Sequence, residues 1–238
     1  MEVYANAMRN VVIANRILAR ENVVDAYGHV SMRNPKDPEK YLMSRSRSPE
    51  LVTLEDIIEF TLDGEAINDD RTPYAERHIH GAIYEARPDI QSVVHNHSHA
   101  VIPFGVTPVP LRPVAHVGAS IGQELPIWDI RKKFGQTNLL VVNMEQGRDL
   151  AKELADNKVV LMRGHGCAVV GTSVEGAVMT SIYLQVNAQL LQDTLNMSSE
   201  VEYLSEQEIE LCAETFLSDF SIKRAWEYFQ RRAGAASI

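Results

Sequence analysis

The spacing of apolar residues predicts helices in five parts of the chain. Met8, Val11 and Leu18 recur at helical spacing before a glycine turn, which is typical of an amphipathic first helix. Near the C-terminus, Ser205 and Glu208 form a capping box that favours the start of a last helix. The predicted helices are the segment before Gly28, residues 74–89, 147–157 and 173–197, and a final helix from Ser205 through Phe220.

Short apolar runs and alternating patterns between these helices predict strands. An Asp63-Gly64 pair inside residues 58–68 indicates a hairpin, and residues 158–171 read as two apolar strands joined by a turn. Because strands and helices interleave while several strand pairs are joined by tight turns, we expect a mixed α/β sheet covered by helices in one domain, residues 1–238. Further strands are predicted at 29–33, 41–44, 92–97 and 139–143.

Composition and charge narrow the classes of function. The 238 residues carry a formal net charge of -9, which is unlike the basic surface that binds nucleic acid. The two cysteines, Cys167 and Cys212, lack CxxC spacing, so we expect a reducing compartment rather than a disulfide framework. The N-terminus lacks the apolar region of a signal peptide, and no stretch approaches the roughly 20 apolar residues of a membrane span. We therefore expect a cytoplasmic protein without nucleic-acid or membrane partners.

The histidines carry the candidate chemistry. In the segment VVHNHSHA, His95 and His97 are two residues apart on a predicted strand, so their side chains point the same way. His165 lies between Gly164 and Gly166, which permit a tight turn and a close backbone approach. Three imidazoles would leave a metal ion with open positions, as catalytic sites require. The alternatives are partly buried polar neighbours on the strand and a hairpin tip that tolerates histidine.

A glutamate precedes the histidine strand by one helix. Glu76 stands at the start of the predicted helix 74–89, where it could complete the coordination of the ion or hold a proton. The alternative is a first-turn glutamate favoured by the helix dipole. His80 follows four residues later on the same helical face, where it could orient the Glu76 carboxylate or form only a surface pair with it.

Two stretches resemble the class II aldolase/adducin family: ERHIHGAIYEARPDIQSVVHNHS, residues 76–98, and LMRGHGCAVVG, residues 161–171. The resemblance implies that His95, His97 and His165 are metal ligands and that Glu76 is a ligand or an acid/base group. It also implies a three-layer α/β/α fold with a mostly antiparallel sheet, and a homotetramer with sites at subunit boundaries.

Departures from the sugar-phosphate members disfavour a phosphorylated substrate. His29 stands where those members have asparagine, Arg45 and Arg47 enter a serine-rich loop, and Pro73-Tyr74 replaces paired serines. Together with residues 101–118 and 135–151, these departures resemble the branch of 3-hydroxy-2-methylpyridine-4,5-dicarboxylate decarboxylase and the hydroxyphthalate decarboxylases. The resemblance therefore implies a small acidic substrate.

The leading hypothesis is a metal-dependent decarboxylase of a hydroxylated aromatic or heteroaromatic (di)carboxylic acid. Its divalent ion would be Zn, Mn, Fe or Co, which imidazole and carboxylate ligands suit, and would act as an electron sink. The alternatives are an aldolase, epimerase or dehydratase acting on a hydroxy-carbonyl compound, and an interaction module like the adducin head.

Five further residues are candidates for the substrate pocket. Arg45 and Arg47 suit a carboxylate because guanidinium binds it in a bidentate manner, although a solvated basic loop explains them as well. His116 is a candidate proton donor or a structural histidine. Tyr183 is a candidate substrate contact across a subunit boundary or a core residue, and His29 is a candidate contact because of the replaced asparagine.

Overall fold

The computed structural model describes residues 2–238, in which seven α-helices surround one sheet. The helices begin close to the predicted capping signals: Ser205 accepts a hydrogen bond from the Glu208 amide, and the Glu208 carboxylate bonds back to Ser205. The helices are α1 (Glu2–Arg20), α2 (Arg77–Ala86), α3 (Arg131–Phe134), α4 (Met144–Leu154), α5 (Val174–Met197), α6 (Glu206–Phe216) and α7 (Asp219–Arg232).

Seven strands form a single sheet in the order β3-β2-β1-β4-β7-β6-β5. Every neighbouring pair is antiparallel except β5 and β6, which run parallel. The prediction of a mixed, mostly antiparallel sheet is confirmed. The strands are β1 (His29–Arg33), β2 (Lys40–Ser44), β3 (Ile57–Thr61), β4 (Ser92–Asn96), β5 (Ile127–Trp128), β6 (Val159–Met162) and β7 (Gly166–Gly171).

Helices cover both faces of the sheet, which gives three layers. Adjacent residues of β4 point to opposite faces: Val94 packs with the side chains of α1 and α5, whereas Val93 packs with those of α2 and α4. All of β4 is buried, because helices lie on both of its faces. The side chain of His95, two residues after Val93, therefore faces α2 and the segment that precedes it.

Three element predictions are wrong in detail. Residues 139–143 do not form a strand, and Leu139 has a positive φ of 69° that breaks the extended pattern. The Asp63-Gly64 turn forms, but its second arm is reduced to one bridge between Phe60 and Ala66. The last helix is divided, because Ser218 caps a new helix, α7. Within residues 2–238, no helix is long and apolar enough to cross a bilayer.

Candidate metal centre and substrate cavity

Two neighbouring strands bring the three histidines together. His95 lies near the end of β4, His97 follows that strand, and His165 immediately precedes β7. Because β4 and β7 are paired antiparallel, with Asn96 opposite Cys167, the end of β4 lies beside the start of β7. The Nε2 atoms of His95 and His97 are 3.0 Å apart, and the His165 ring centroid lies 4.9–5.0 Å from the other two.

The glycines on either side of His165 have different tasks. Gly164 has a φ of +67°, a conformation that L side chains rarely adopt. A Cβ at Gly166 would overlap the carbonyl oxygen of Asn96 and lie 3.0 Å from the His97 ring. The first glycine thus permits the turn, and the second permits the close approach of β7 to the histidine segment, as the sequence predicted.

Backbone carbonyls fix the ring orientation of two histidines. The Nδ1 of His95 lies 3.1 Å from the carbonyl oxygen of Cys167, and the Nδ1 of His165 lies 3.0 Å from that of Leu139. A carbonyl oxygen only accepts hydrogen bonds, so each Nδ1 carries a hydrogen and Nε2 is the nitrogen left to bind a metal ion. The Nε2 atoms of both rings lie 3.4 Å from the same oxygen, Oε2 of Glu76.

Glu76 completes the cluster from the opposite side. It occupies the N-cap position of α2, but its carboxylate does not cap the helix. Oε1 accepts a hydrogen bond of 2.9 Å from the Val141 amide, and Oε2 lies 3.4 Å from the Nε2 atoms of both His95 and His165. The alternative, in which the helix dipole alone favours a glutamate at this position, is therefore not needed.

The segment wrongly predicted as a strand is what orients these groups. Instead of pairing in the sheet, the backbone around Leu139 and Val141 gives its carbonyl to His165 and its amide to Glu76. Sequence analysis missed both contacts, because main-chain groups leave no residue-type signal. The sequence indicated only that this segment lies directly before the N-cap of α4.

The protonation states of the cluster suit a cation. Burial, together with the neighbouring His95 and His165, lowers the pKa of His97 to about 4. Burial by itself would raise the pKa of Glu76, but the proximity of His95 and His165 outweighs it and holds the pKa well below its usual range. The site thus offers neutral imidazole and an ionised carboxylate, which are the metal-binding forms.

The arrangement fits a divalent ion. The ligand atoms of Glu76, His95, His97 and His165 all lie within 4.8 Å of one another. Two nitrogens bound about 2.1 Å from one ion lie about 3.0 Å apart when they subtend a right angle at it. The 3.0 Å separation of the Nε2 atoms of His95 and His97 matches that spacing. The donor set is that of Zn, Mn, Fe or Co sites.

A cavity of about 450 Å³ opens beside this cluster. Its wall includes Glu76, His97 and the rings of His29 and Tyr74, and the centroids of these two rings are 4.5 Å apart. Arg47 also lines the cavity, and its carbonyl oxygen accepts a hydrogen bond from the Tyr74 hydroxyl. The cavity therefore combines aromatic surface, an arginine residue and the candidate metal centre.

Arg45 and Arg47 share one carboxylate. The Nε of Arg45 lies 2.7 Å from Asp56, and the Nη1 of Arg47 lies 2.9 Å from the second oxygen of the same residue. Burial alone would raise the pKa of Asp56, but bonds from Thr53 and the two arginines lower it to about 2. Two positive charges and one negative charge leave a net positive charge beside the cavity. Arg47 lines the cavity, whereas Arg45 does not.

The structure does not place three of the candidate residues where their suggested roles require. His116 is exposed at the start of a short helical turn, outside the cavity that contains Glu76. The ring of Tyr183 packs against Phe216 and Phe229, because α5 turns this face toward the C-terminal helices. The suggestion that His80 orients Glu76 is wrong, since its ring nitrogens bond to His29 and Ser31 instead.

Comparisons with known proteins identify the family of this chain. The model of the family described as Class II Aldolase and Adducin N-terminal domain matches residues 9–191. The chain belongs to the class II aldolase/adducin family, and its relatives place it among the lyases of that family.

Among the similar proteins are two decarboxylases that align over nearly their whole length. The decarboxylase tropJ of Talaromyces stipitatus is 33% identical, over 97% of this chain and 95% of the relative. The 3,4-dihydroxyphthalate decarboxylase of Arthrobacter keyseri is 26% identical, over 98% and 96%. The resemblance to the decarboxylase branch is thus confirmed. The solved structure of an aldolase II superfamily protein from Pseudomonas syringae superposes with a TM-score of 0.83 at 20% identity, covering 100% of this chain and 95% of that one, and shows the same fold.

Proposed function

We propose that the protein is a metal-dependent decarboxylase of a hydroxylated aromatic or heteroaromatic acid that carries a second carboxylate. The observation that carries the proposal is the convergence of His95, His97, His165 and Glu76 beside a cavity lined by aromatic rings and by Arg47. The similarity to the two decarboxylases over nearly the whole chain supports it. An aromatic diacid matches the flat rings and the net positive charge of that wall.

Decarboxylation requires that the electrons of a breaking C–C bond be stabilised. When bound, a divalent ion supplies a Lewis acid for the negative charge that develops on the ring and its hydroxyl oxygen. The three imidazoles hold the ligand positions without adding charge, and the Cys167 and Leu139 carbonyls hold two of the rings in place. The chain therefore supplies a rigid site that leaves coordination positions open to a substrate.

The reaction ends when a proton replaces the lost carbon dioxide on the ring carbon. Glu76 is the carboxylate beside the three histidines, and the Val141 amide holds Oε1 so that Oε2 faces them. Its lowered pKa favours the role of anionic ligand while the cluster carries positive charge. Glu76 Oε2 would also be placed to take a proton from the substrate hydroxyl and to return it to the ring carbon that loses carbon dioxide.

The assembly proposed for the protein is a homotetramer. His116 and Tyr183 lie outside the cavity of their own chain, so any contact between them and substrate would have to be made at the site of a neighbouring copy. The oligomeric state measured by light scattering tests this part of the proposal.

A second candidate function is a metal-dependent aldolase, epimerase or dehydratase acting on a small hydroxy-carbonyl compound. The observation that favours it is the cluster itself, because retro-aldol cleavage needs the same electron sink and differs only in its leaving fragment. An interaction module like the adducin head is disfavoured, since a binding surface has no need for four converging ligand atoms next to a cavity.

Release of carbon dioxide from a panel of acids tests the proposed function. We expect metal-supplemented protein to release carbon dioxide from hydroxylated phthalates and pyridine dicarboxylates, and to leave hydroxy-aldehydes unchanged. Coupled carbon dioxide detection and mass spectrometry of the products are the measurements. Turnover of hydroxy-aldehydes, with no carbon dioxide released from any of the acids, would favour the second candidate and reject the first.

Substitution of the cavity arginine tests the second carboxylate. We expect Arg47→Ala to raise KM for a hydroxyphthalate about 10-fold or more, because a charge-assisted hydrogen bond is worth roughly 1.5–3 kcal/mol. The same change should affect a hydroxybenzoate with one carboxylate much less. Arg148→Ala is the matched control, since that guanidinium pairs with Glu85 on the surface. Equal losses on both substrates would contradict the assignment.

A further inference from the structure

Four buried polar side chains form a hydrogen-bonded chain that begins at the cavity wall and ends inside the protein. The Nδ1 of His29 lies 2.6 Å from the Nε2 of His80, and the Nδ1 of His80 lies 2.6 Å from the Ser31 hydroxyl. The Ser31 hydroxyl lies 2.8 Å from the phenol oxygen of Tyr84. All four residues are at most 4% exposed, and His29 is the member that lines the cavity.

The deep end of the chain fixes the direction of its hydrogen bonds. The chain ends at the phenol hydroxyl of Tyr84, whose single hydrogen must find an acceptor. Among residues 2–238, Ser31 is the side chain that this hydroxyl meets. Since a buried hydroxyl that donates to nothing is costly, Tyr84 donates to Ser31.

Each later bond follows from the one before it. Ser31 accepts from Tyr84 and donates its single hydrogen to the Nδ1 of His80. The neutral His80 ring then carries its hydrogen on Nε2 and donates to the Nδ1 of His29. The neutral His29 ring must carry its own hydrogen on Nε2, the nitrogen not used by the chain. The reverse direction would leave the Tyr84 hydrogen without an acceptor.

Both rings are neutral for a physical reason. Each lies among other imidazoles in the interior, where a charged form loses its hydration. Burial is the main cause that lowers the pKa of His80, to about 3, and it likewise places the pKa of His29 well below the usual value. The bond directions follow from the contacts of the chain by themselves, because a ring that accepts a hydrogen bond at Nδ1 has no hydrogen there and is uncharged.

We propose that His29 presents a fixed Nε2–H donor to an anionic oxygen of the ligand, and that His80, Ser31 and Tyr84 are positioning residues that set this tautomer. The identity of the ligand, an aromatic diacid, rests on the proposed function; the tautomer does not. His29 and Arg47 flank the Tyr74 ring on one wall, so the oxygen assigned to this donor belongs to the carboxylate that remains on the ring.

The tautomer is measured directly by solid-state ¹⁵N NMR of protein labelled at histidine nitrogens, both metal-depleted and supplemented with Zn²⁺. His29 and His80 are assigned by comparison with variants. We expect both rings to carry hydrogen on Nε2 in the wild-type protein. A wild-type His29 with its hydrogen on Nδ1 would overturn the proposal without any need for a stable variant.

Variants test the positioning role with phthalate as the probe. Tyr84→Phe and Ser31→Ala should give mixed tautomers at His29 and weaken phthalate binding about two- to ten-fold in calorimetry, the range that a lost hydrogen bond implies. Tyr41→Phe is the matched control, because its buried hydroxyl bonds to the Arg77 carbonyl outside the chain. It should change neither quantity.

The outcomes separate this inference from the proposed function. A changed tautomer with unchanged phthalate affinity would reject the role toward the ligand, as would a wild-type protein that does not bind phthalate. Absence of carbon dioxide release, with the expected tautomers and the expected loss of phthalate affinity, would reject the decarboxylase and leave the assignment of His29 standing.

Discussion

Replacing His165 by alanine is expected to remove most of the divalent metal from the protein and to lower turnover roughly 1000-fold, since metal-ion catalysis supplies several kcal/mol of transition-state stabilisation. His165 donates one of three imidazole nitrogens, and its ring is held by the Leu139 carbonyl in the orientation that faces Glu76. Loss of a direct ligand should weaken metal binding by more than the 10–100-fold typical of outer contacts. Elemental analysis after dialysis and turnover with saturating metal are the two measurements.

His99→Ala is the matched control for this variant. His99 lies two residues after His97 but is exposed and outside the cluster, so its loss should change neither metal content nor turnover. Full metal content in His165→Ala, or an equal loss of metal in both variants, would contradict a shared metal centre. The stability of each variant, measured by thermal unfolding, separates loss of a ligand from loss of the fold.

Replacing Gly166 by alanine is expected to destabilise the protein by about 3 kcal/mol, the upper part of the range for overpacking a tight interior. The added methyl would overlap the carbonyl oxygen of Asn96, so β7 and the end of β4 would have to separate. Neither backbone can move alone, because Asn96 and Cys167 are paired in the sheet. The same displacement should shift the His97 ring and weaken metal binding.

Gly105→Ala is the control for the size of the added group. A Cβ at Gly105 meets nothing nearer than 3.6 Å, an ordinary van der Waals distance, so the cost there should be below about 1 kcal/mol. Urea unfolding of the metal-depleted proteins measures both variants without the contribution of bound metal. Equal stability of the two variants would show that β7 does not approach the histidine segment as closely as described.

Much of the site could be predicted because its signals are local. A histidine pair at positions 95 and 97 shares one direction wherever the chain is extended, and glycines at 164 and 166 permit a tight turn with close backbone contact. The capping box of Ser205 and Glu208 formed for the same reason, since the two partners are three residues apart.

Longer-range features could not be obtained in this way. Residues 139–143 have the apolar composition of a strand. Their backbone instead donates a hydrogen bond to Glu76 and accepts one from His165, and both of these residues are far away in the sequence. Helical spacing allowed His80 to orient Glu76 on the same helix. Instead, β1 places His29 and Ser31 within hydrogen-bonding distance of the His80 ring. Helical spacing describes neighbours on one helix only, whereas the nearest partner came from another element.

The sequence by itself determined the mixed α/β class, the three imidazoles and the turn that holds His165, because each depends on residue type and short spacing. Only the tertiary structure decided that Glu76 faces the histidines, that Arg47 rather than Arg45 lines the cavity, and that Tyr183 packs among the C-terminal helices. The physical reason is that hydrogen bonds and side-chain packing act over a few ångströms in space, and separation along the chain does not specify which distant groups will come that close.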